Sequence, residues 1–383
     1  MRAGLAILDA IGTLNRNHTD AQQRLAVRVG IHTGEVVIGQ DGGGNPEVFG
    51  DTTNLAARVQ TAAEPATSLI TAPVHHRTSG LFVVEPKGAH QLKGVPNAVE
   101  LFHVKQASGV SGRINAAAAS QGLIGFVGRD EELRVLWRRW ELARDGEGQM
   151  VVIAGEAGIG KSRLIEEMQN RLARVPHTWI QCACDQLLQN TPFHPVSEML
   201  KQAFPWRPND TLESHVRSLE EALEISGLRK EEALPLVAPL LDVPIPSSYP
   251  SLLLAPERQH KRLLAMLAQW LFGLARPQPV VIAIDDLQLA DPSSLELVRL
   301  VAEQAVSAPV LLLCTVRSEF RAPWPLRAHH SYLTLSPLSR REARAMVEEV
   351  AARAQLPSDT IDAVVARTGG VPLFVEELTR LII

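Results

Sequence analysis

Cysteine is scarce. Three residues in 383 (Cys182, Cys184 and Cys314) cannot build a disulfide framework. No further Cys or His pair stands at metal-ligand spacing from them, so they read as buried free thiols, as suits a reducing compartment. Long apolar runs are missing too, and none approaches the ~20 residues that span a bilayer. The opening segment resembles a signal peptide only briefly, because Asp9 interrupts it and no small-residue cleavage site follows. Leu5, Leu8, Ile11 and Leu14 recur every three residues, which predicts an amphipathic helix. Nor is there an excess of one charge. With 38 Lys+Arg against 42 Asp+Glu, the net charge of −4 leaves no footprint for nucleic acid or an anionic membrane. The expectation is a soluble, cytoplasmic protein without nucleic-acid or membrane partners. No internal repeat is visible.

What is present is an ordinary globular composition, 45% hydrophobic and 21% charged. The length suits two or three domains, since one core rarely grows past roughly 250–300 residues. Helix and strand alternate over 1–104. A period of two at Val27, Val29 and Ile31 marks a strand, with 35–39 expected as its hairpin partner after Gly34. Residues 41–46 are a glycine-rich loop. Asp51 or Thr52 is placed to cap a helix with Leu55, Val59 and Ala62 or Ala63 on its apolar side. Strand-like pieces follow at 81–84 and 99–104. From 106 to 122 the composition turns to Ala, Ser and Gly, a linker. Beyond it, continuous apolar runs at 150–154, 280–284 and 310–314 predict strands buried on both faces of a parallel sheet. Residues 187–275 and 339–383 read as helical.

One motif carries chemistry by itself. Gly155-Glu156-Ala157-Gly158-Ile159-Gly160-Lys161-Ser162 fits G-x-x-x-x-G-K-[ST] in full. Gly155, Gly158 and Gly160 let the backbone wrap an anion and aim N–H groups inward, at the positive end of the following helix. Lys161, expected to face solvent, reaches the β- and γ-phosphates, and the Ser162 hydroxyl is a hard ligand for Mg²⁺. The apolar run ending at Asp285-Asp286 supplies the second half: Asp285 for the magnesium shell, Asp286 to orient or polarise the attacking water. The expected ligand is ATP with Mg²⁺.

With Phe126-Val127-Gly128-Arg129-Asp130-Glu131-Glu132-Leu133, Asp285-Asp286-Leu287-Gln288-Leu289-Ala290-Asp291 and Gly369-Gly370-Val371-Pro372, about two thirds of the chain resembles the AAA-related, STAND-type signal-transduction P-loop ATPases. The resemblance implies Arg129 near the adenine, a polar γ-phosphate sensor at Thr315 or Arg317, and Pro372 touching nucleotide from a helical lid. It also implies a nucleotide-dependent switch more than a motor.

The N-terminal third, through Val29-Gly30-Ile31-His32-Thr33-Gly34-Glu35-Val36-Val37 and Val48-Phe49-Gly50-Asp51-Thr52-Thr53-Asn54-Leu55-Ala56-Ala57-Arg58, resembles class III adenylyl and guanylyl cyclases. Asn54 and Arg58, four apart, share one helix face. By resemblance Asn54 orients the ribose, Arg58 stabilises the triphosphate transition state, and Glu47 falls at the purine-selecting position. The family holds two metals (Mg²⁺, with Mn²⁺ also possible) on two Asp residues upstream of the Gly30–Gly34 motif. The upstream acids here are Asp9 and Asp20, without the expected context. His32 and the pair His75-His76 lack partner ligands at known spacing and read as structural or surface residues.

The expected fold class is therefore α/β. A partial, ferredoxin-like α+β cyclase domain (1–105, shortened at its start) and a linker (106–122) precede a P-loop parallel-sheet ATPase core (123–335) with a helical lid (336–383, shortened at its end). The leading functional expectation is part of a bacterial multidomain adenylate-cyclase-type signalling protein, homodimeric through its cyclase domain, with slow ATP hydrolysis as a regulatory switch. An ATP-dependent transcription regulator and a nucleotide-bound scaffold are the alternatives.

Overall fold

The computed structural model describes residues 1–17, 25–40, 46–78, 82–107, 125–204, 206, 210–249, 254–325, 327–352, 354 and 356–383. Asp20, 41–45 of the glycine-rich loop and 108–122 of the expected linker lie outside the described residues. The chain divides into two compact units, Met1–Leu123 and Ile124–Ile383.

In the first unit, helix α1 (Arg2–Asn17) is followed by β1 (Arg28–Ile31), β2 (Val37–Gln40), β3 (Pro46–Phe49), α2 (Asp51–Ala62), β4 (Thr67–Thr71), α3 (Ala72–Arg77), β5 (Phe82–His90) and β6 (Val99–Ala107). The main sheet has the order β1-β4-β6-β5, parallel between β1 and β4 and antiparallel elsewhere. Alternation along β4 sends Leu69 to one face, with Val59, Ala63 and Leu101, and Ile70 to the other, with Val74 and Val104. Helices thus cover both faces.

Three expectations are corrected here. The hairpin partner of 35–39 is not β1: Val37–Gln40 pairs antiparallel with Pro46–Phe49, while β1 pairs in parallel with the distant β4. The cap of α2 is Gly50, with no side-chain cap bond, because the Thr52 hydroxyl instead donates to the Glu35 carbonyl at 2.6 Å. Finally, β6 takes in Gln106 and Ala107, the first two positions read as linker.

The second unit is built on five strands: β7 (Gln149–Ala154), β8 (Thr178–Ala183), β9 (Val280–Asp285), β10 (Val310–Val316) and β11 (His330–Thr334). All pair in parallel, in the order β11-β7-β10-β9-β8. As the continuous apolar runs require, β7 and β10 are buried throughout, on both faces. Val151, Ile153, Val281, Ala283, Leu311 and Leu313 face the helices α4 (Asp130–Arg144) and α5 (Lys161–Leu172), where Leu136, Trp140, Leu164 and Met168 meet them. The alternate residues face a larger core closed by α6 (His194–Ala203), α7 (Leu212–Ile225), α8 (Lys230–Val237), α9 (Pro256–Leu274) and α10 (Pro292–Gln304). The last three helices, α11 (Arg340–Val350), α12 (Ser358–Thr368) and α13 (Pro372–Ile382), share a core of their own around Val347, Val364 and Val375.

One buried carboxylate joins two helices of this layer, the start of α10 and the entry to α6. Asp291 caps α10 by accepting from the Ser294 N–H at 3.0 Å and the Ser294 hydroxyl at 2.6 Å. It also accepts from the Phe193 N–H at 3.0 Å, nearly a hundred residues away, which anchors the entry to α6. Asp291→Ala removes a cap and leaves buried donors unpaired, for an expected loss of about 3 kcal/mol. All six tryptophans lie in the second unit, so urea unfolding followed by tryptophan fluorescence measures it. An unchanged midpoint would show that Asp291 anchors nothing.

Candidate functional site

Parallel register aligns the C-terminal ends of three neighbouring strands. Val316 pairs with Ala154, and Cys314 with Ile284, so Thr315, Ala154 and Asp285 end side by side. This is the edge where open α/β sheets bind ligands. The glycine-rich loop 155–162 leaves β7 and enters α5. Gly158 and Gly160 hold φ of 78° and 99°, a left-handed backbone that glycine adopts without strain.

At the centre stands Asp285. Its Oδ2 accepts from the Ser162 hydroxyl at 2.7 Å, and its Oδ1 accepts from the Thr315 hydroxyl. Ser162 Oγ and the Asp285 carboxylate are adjacent hard oxygens at the start of a helix, a donor set that fits a divalent cation beside phosphate.

Lys161 differs from its expected solvent-facing position. It is 8% exposed, and its Nζ donates to the carbonyls of Gly155 at 2.8 Å and Glu156 at 3.0 Å. The reason is the curl of the loop itself, which turns those carbonyls toward the first residue of α5. An ammonium has three donors, so two bonds orient Lys161 and one remains for an anion. Burial lowers its pKa, opposed by the negative charges of Asp286 and Asp285.

Asp286 follows in the left-handed region, φ 55°, a strained setting for a residue with a side chain. Its N–H donates to Thr315 Oγ1 at 2.8 Å. The Thr315 hydroxyl therefore both donates and accepts within the protein, and the residue is fully buried. Of the two expected sensor positions, only Arg317 presents an exposed side chain.

Arg129, also left-handed at φ 64°, is 10% exposed and spends its guanidinium on protein acceptors: Glu132 at 3.0 Å, the Ile159 carbonyl at 3.3 Å and the Ser336 carbonyl. It ties the loop to the segment before α11. Pro372 opens α13 beside Gly160, and the Leu373 N–H donates to the Gly158 carbonyl at 3.2 Å. The three cysteines are buried: burial pushes the Cys182 thiol up to about 12 and raises Cys184 and Cys314 as well, so none is a ready nucleophile.

In the first unit, Asn54 and Arg58 lie exposed on one face of α2. Gly30 sets that helix: a Cβ there would stand 2.1 Å from the Gln60 nitrogen, so only glycine lets α2 lie this close on β1. Glu47 is on β3, and its side chain lies outside the described residues. Asp9 is exposed on α1. Among the described residues no group of three or more His, Cys, Asp or Glu is arranged to hold a metal ion. His32 Nδ1 pairs with the Thr71 hydroxyl at 2.8 Å, and the His75 ring stacks on Phe102.

Sequence reasoning missed two residues here. Asp291 had a legible signal, an acid before Pro292 and three residues before Ser294, as at many helix starts. Gln288, bonded to both Asp286 and Arg317, stands in the same Asp285–Asp291 motif, but its residue type gave no sign of those two bonds.

The family model for the adenylate and guanylate cyclase catalytic domain matches residues 1–106, and that for an AAA ATPase domain matches residues 125–313. An uncharacterized protein of Rhizobium meliloti (strain 1021) is 27% identical over 99% of this chain, which spans 37% of that relative's length. Among solved structures, an adenylyl cyclase from P. aeruginosa is 26% identical over 27% of this chain and 55% of its own, with a TM-score of 0.25. A signal-transduction ATPase with a tetratricopeptide repeat sensor from Pyrococcus horikoshii is 16% identical over 67% of this chain and 32% of its own, with a TM-score of 0.36. No helix among the described residues is long and apolar enough to cross a membrane. The chain thus joins sequence of the adenylate and guanylate cyclase catalytic domain, at 1–106, to an AAA ATPase domain, at 125–313.

Proposed function

We propose that the second unit is an ATP-driven regulatory switch in a bacterial, cytoplasmic signalling protein whose first unit contributes to cyclic AMP synthesis. The observation that carries the ATP reading is the 2.7 Å bond between Ser162 and Asp285 beside the buried Lys161. Loop 155–162 acts as a P-loop: its backbone N–H groups and Lys161 hold the β- and γ-phosphates. Ser162 and Asp285 would hold Mg²⁺, which when bound neutralises phosphate charge. Asp286 accepts a proton from, or orients, the attacking water. Arg317 meets the γ-phosphate, and Pro372, on a lid of 336–383, responds to the occupied loop. Hydrolysis that is slow relative to binding makes such a site a timer.

Lys161→Met keeps most of the buried volume and removes one charged donor, worth about 1.5–3 kcal/mol. A fluorescent ATP analogue with Mg²⁺ is expected to bind about 10- to 100-fold more weakly. Equal affinity would overturn the assignment of this loop. Asp286→Asn is expected to keep that affinity and to slow ATP hydrolysis by about 100-fold. Parent-like turnover would remove Asp286 from the chemistry.

For the first unit, Asn54 would orient the ribose, Arg58 would stabilise charge on the phosphates during 3′-hydroxyl attack, and Glu47 would contact the purine. None of these replaces the carboxylates that two-metal chemistry needs. A partner subunit supplies them in a dimer. With ATP and Mn²⁺, the 383-residue chain alone is expected to make no cyclic AMP. Mixed with a homologous cyclase domain that keeps its metal carboxylates but lacks its own arginine, it is expected to restore product, and Arg58→Ala is expected to abolish that rescue. Strong synthesis by the chain alone would refute this division of labour and return attention to Asp9 and Asp20.

A further inference from the structure

We propose that Gln288 is a positioning residue for ATP hydrolysis, its amide clamping the Asp286 carboxylate to the backbone at Arg317. The proposal deepens the ATP reading of this site and rests on it. Gln288 lies in the single turn after β9, half-buried, with both ends of its amide engaged. Its Nε2 donates to Asp286 Oδ1 at 2.9 Å, and its Oε1 accepts from the Arg317 N–H at 3.1 Å.

Asp286 needs such a partner. Its left-handed backbone carries the side chain out of the line of β9. A carboxylate there would otherwise sample several rotamers, and misplacing a catalytic group by about 1 Å costs on the order of 100-fold in rate. Two bonds remove that freedom. The Asp286 N–H is fixed to Thr315 Oγ1, and its Oδ1 is fixed by Gln288. One anchor, Thr315, lies at the end of β10, and the other, Gln288, is itself held by the N–H of Arg317, the residue after that strand. With Oδ1 occupied, Oδ2 is the oxygen left for water. Any shift of Arg317 toward a γ-phosphate passes through the Gln288 amide to Asp286, so nucleotide sensing and water orientation become one movement.

The two halves of the clamp separate by substitution. Gln288→Met matches the side chain in size and loses both bonds, whereas Gln288→Glu keeps the acceptor for Arg317 N–H and loses the donor to Asp286. Both variants are expected to bind the fluorescent ATP analogue within about 2-fold of the parent and to lose about 10- to 100-fold in kcat. In the absence of nucleotide, amide hydrogen exchange at Arg317 is expected to accelerate in Gln288→Met and to stay parent-like in Gln288→Glu. Because Gln288 acts through Asp286, the double variant Asp286→Asn/Gln288→Met is expected to turn over no more slowly than Asp286→Asn alone. Parent-like kcat in Gln288→Met, multiplying losses in the double variant, or unchanged Arg317 exchange in Gln288→Met would each overturn the clamp while leaving the ATPase reading intact. A parent chain that binds ATP with Mg²⁺ but never turns it over would overturn both.

Discussion

Both oxygens of one carboxylate hold the centre of the second unit together. Asp285 takes the Ser162 hydroxyl on one oxygen and the Thr315 hydroxyl on the other, joining the start of α5 to the ends of β9 and β10. The register of a fully parallel sheet is what lets three chain segments, remote in sequence, end within reach of one side chain. A charge-assisted bond of this kind is roughly twice as strong as a neutral one. Around it the backbone takes its least comfortable forms: Asp286 and Arg129 are two of the five described residues other than glycine with positive φ. Such strain persists only where the surroundings impose it, and here those surroundings are the hydrogen bonds of Thr315, Glu132 and the loop carbonyls.

Much of this was legible in the sequence, for identifiable reasons. Strands buried on both faces must be apolar throughout, so β7, β9 and β10 stood out as runs. The loop was legible because wrapping an anion demands glycines at fixed spacing. What failed to show was non-local or contextual. β4 and the edge strand β11 carry Thr, Ser and His among their apolar residues, and neither has a clean period. The partner of β1 lies some forty residues away in a parallel pairing, which a local hairpin rule cannot reach. The burial of Lys161 depends on how two carbonyls of its own loop turn, and the choice between Thr315 and Arg317 on which hydroxyl is already spent.

The first unit follows the same logic with weaker signals. Its two presented residues, Asn54 and Arg58, owe their place to a glycine that tolerates backbone contact, not to a motif that binds by itself. A glycine also precedes the helix in each unit, Gly50 before α2 and Gly160 before α5, both at positive φ. In the second unit, under the proposed ATP reading, that turn delivers N–H groups to phosphate from a single chain. In the first it delivers an exposed face, and under the proposed dimer that face completes a site shared between subunits.

Everything proposed for the second unit depends on the Ser162–Asp285 pair being where a nucleotide-bound metal sits. A crystal structure of the chain with Mg²⁺ and a non-hydrolysable ATP analogue decides this. The expected result is a metal about 2.1 Å from Ser162 Oγ, with Lys161 bonded to phosphate and the Thr315 hydroxyl still on Asp285. A metal bound without Ser162, or a nucleotide seated away from loop 155–162, would contradict it.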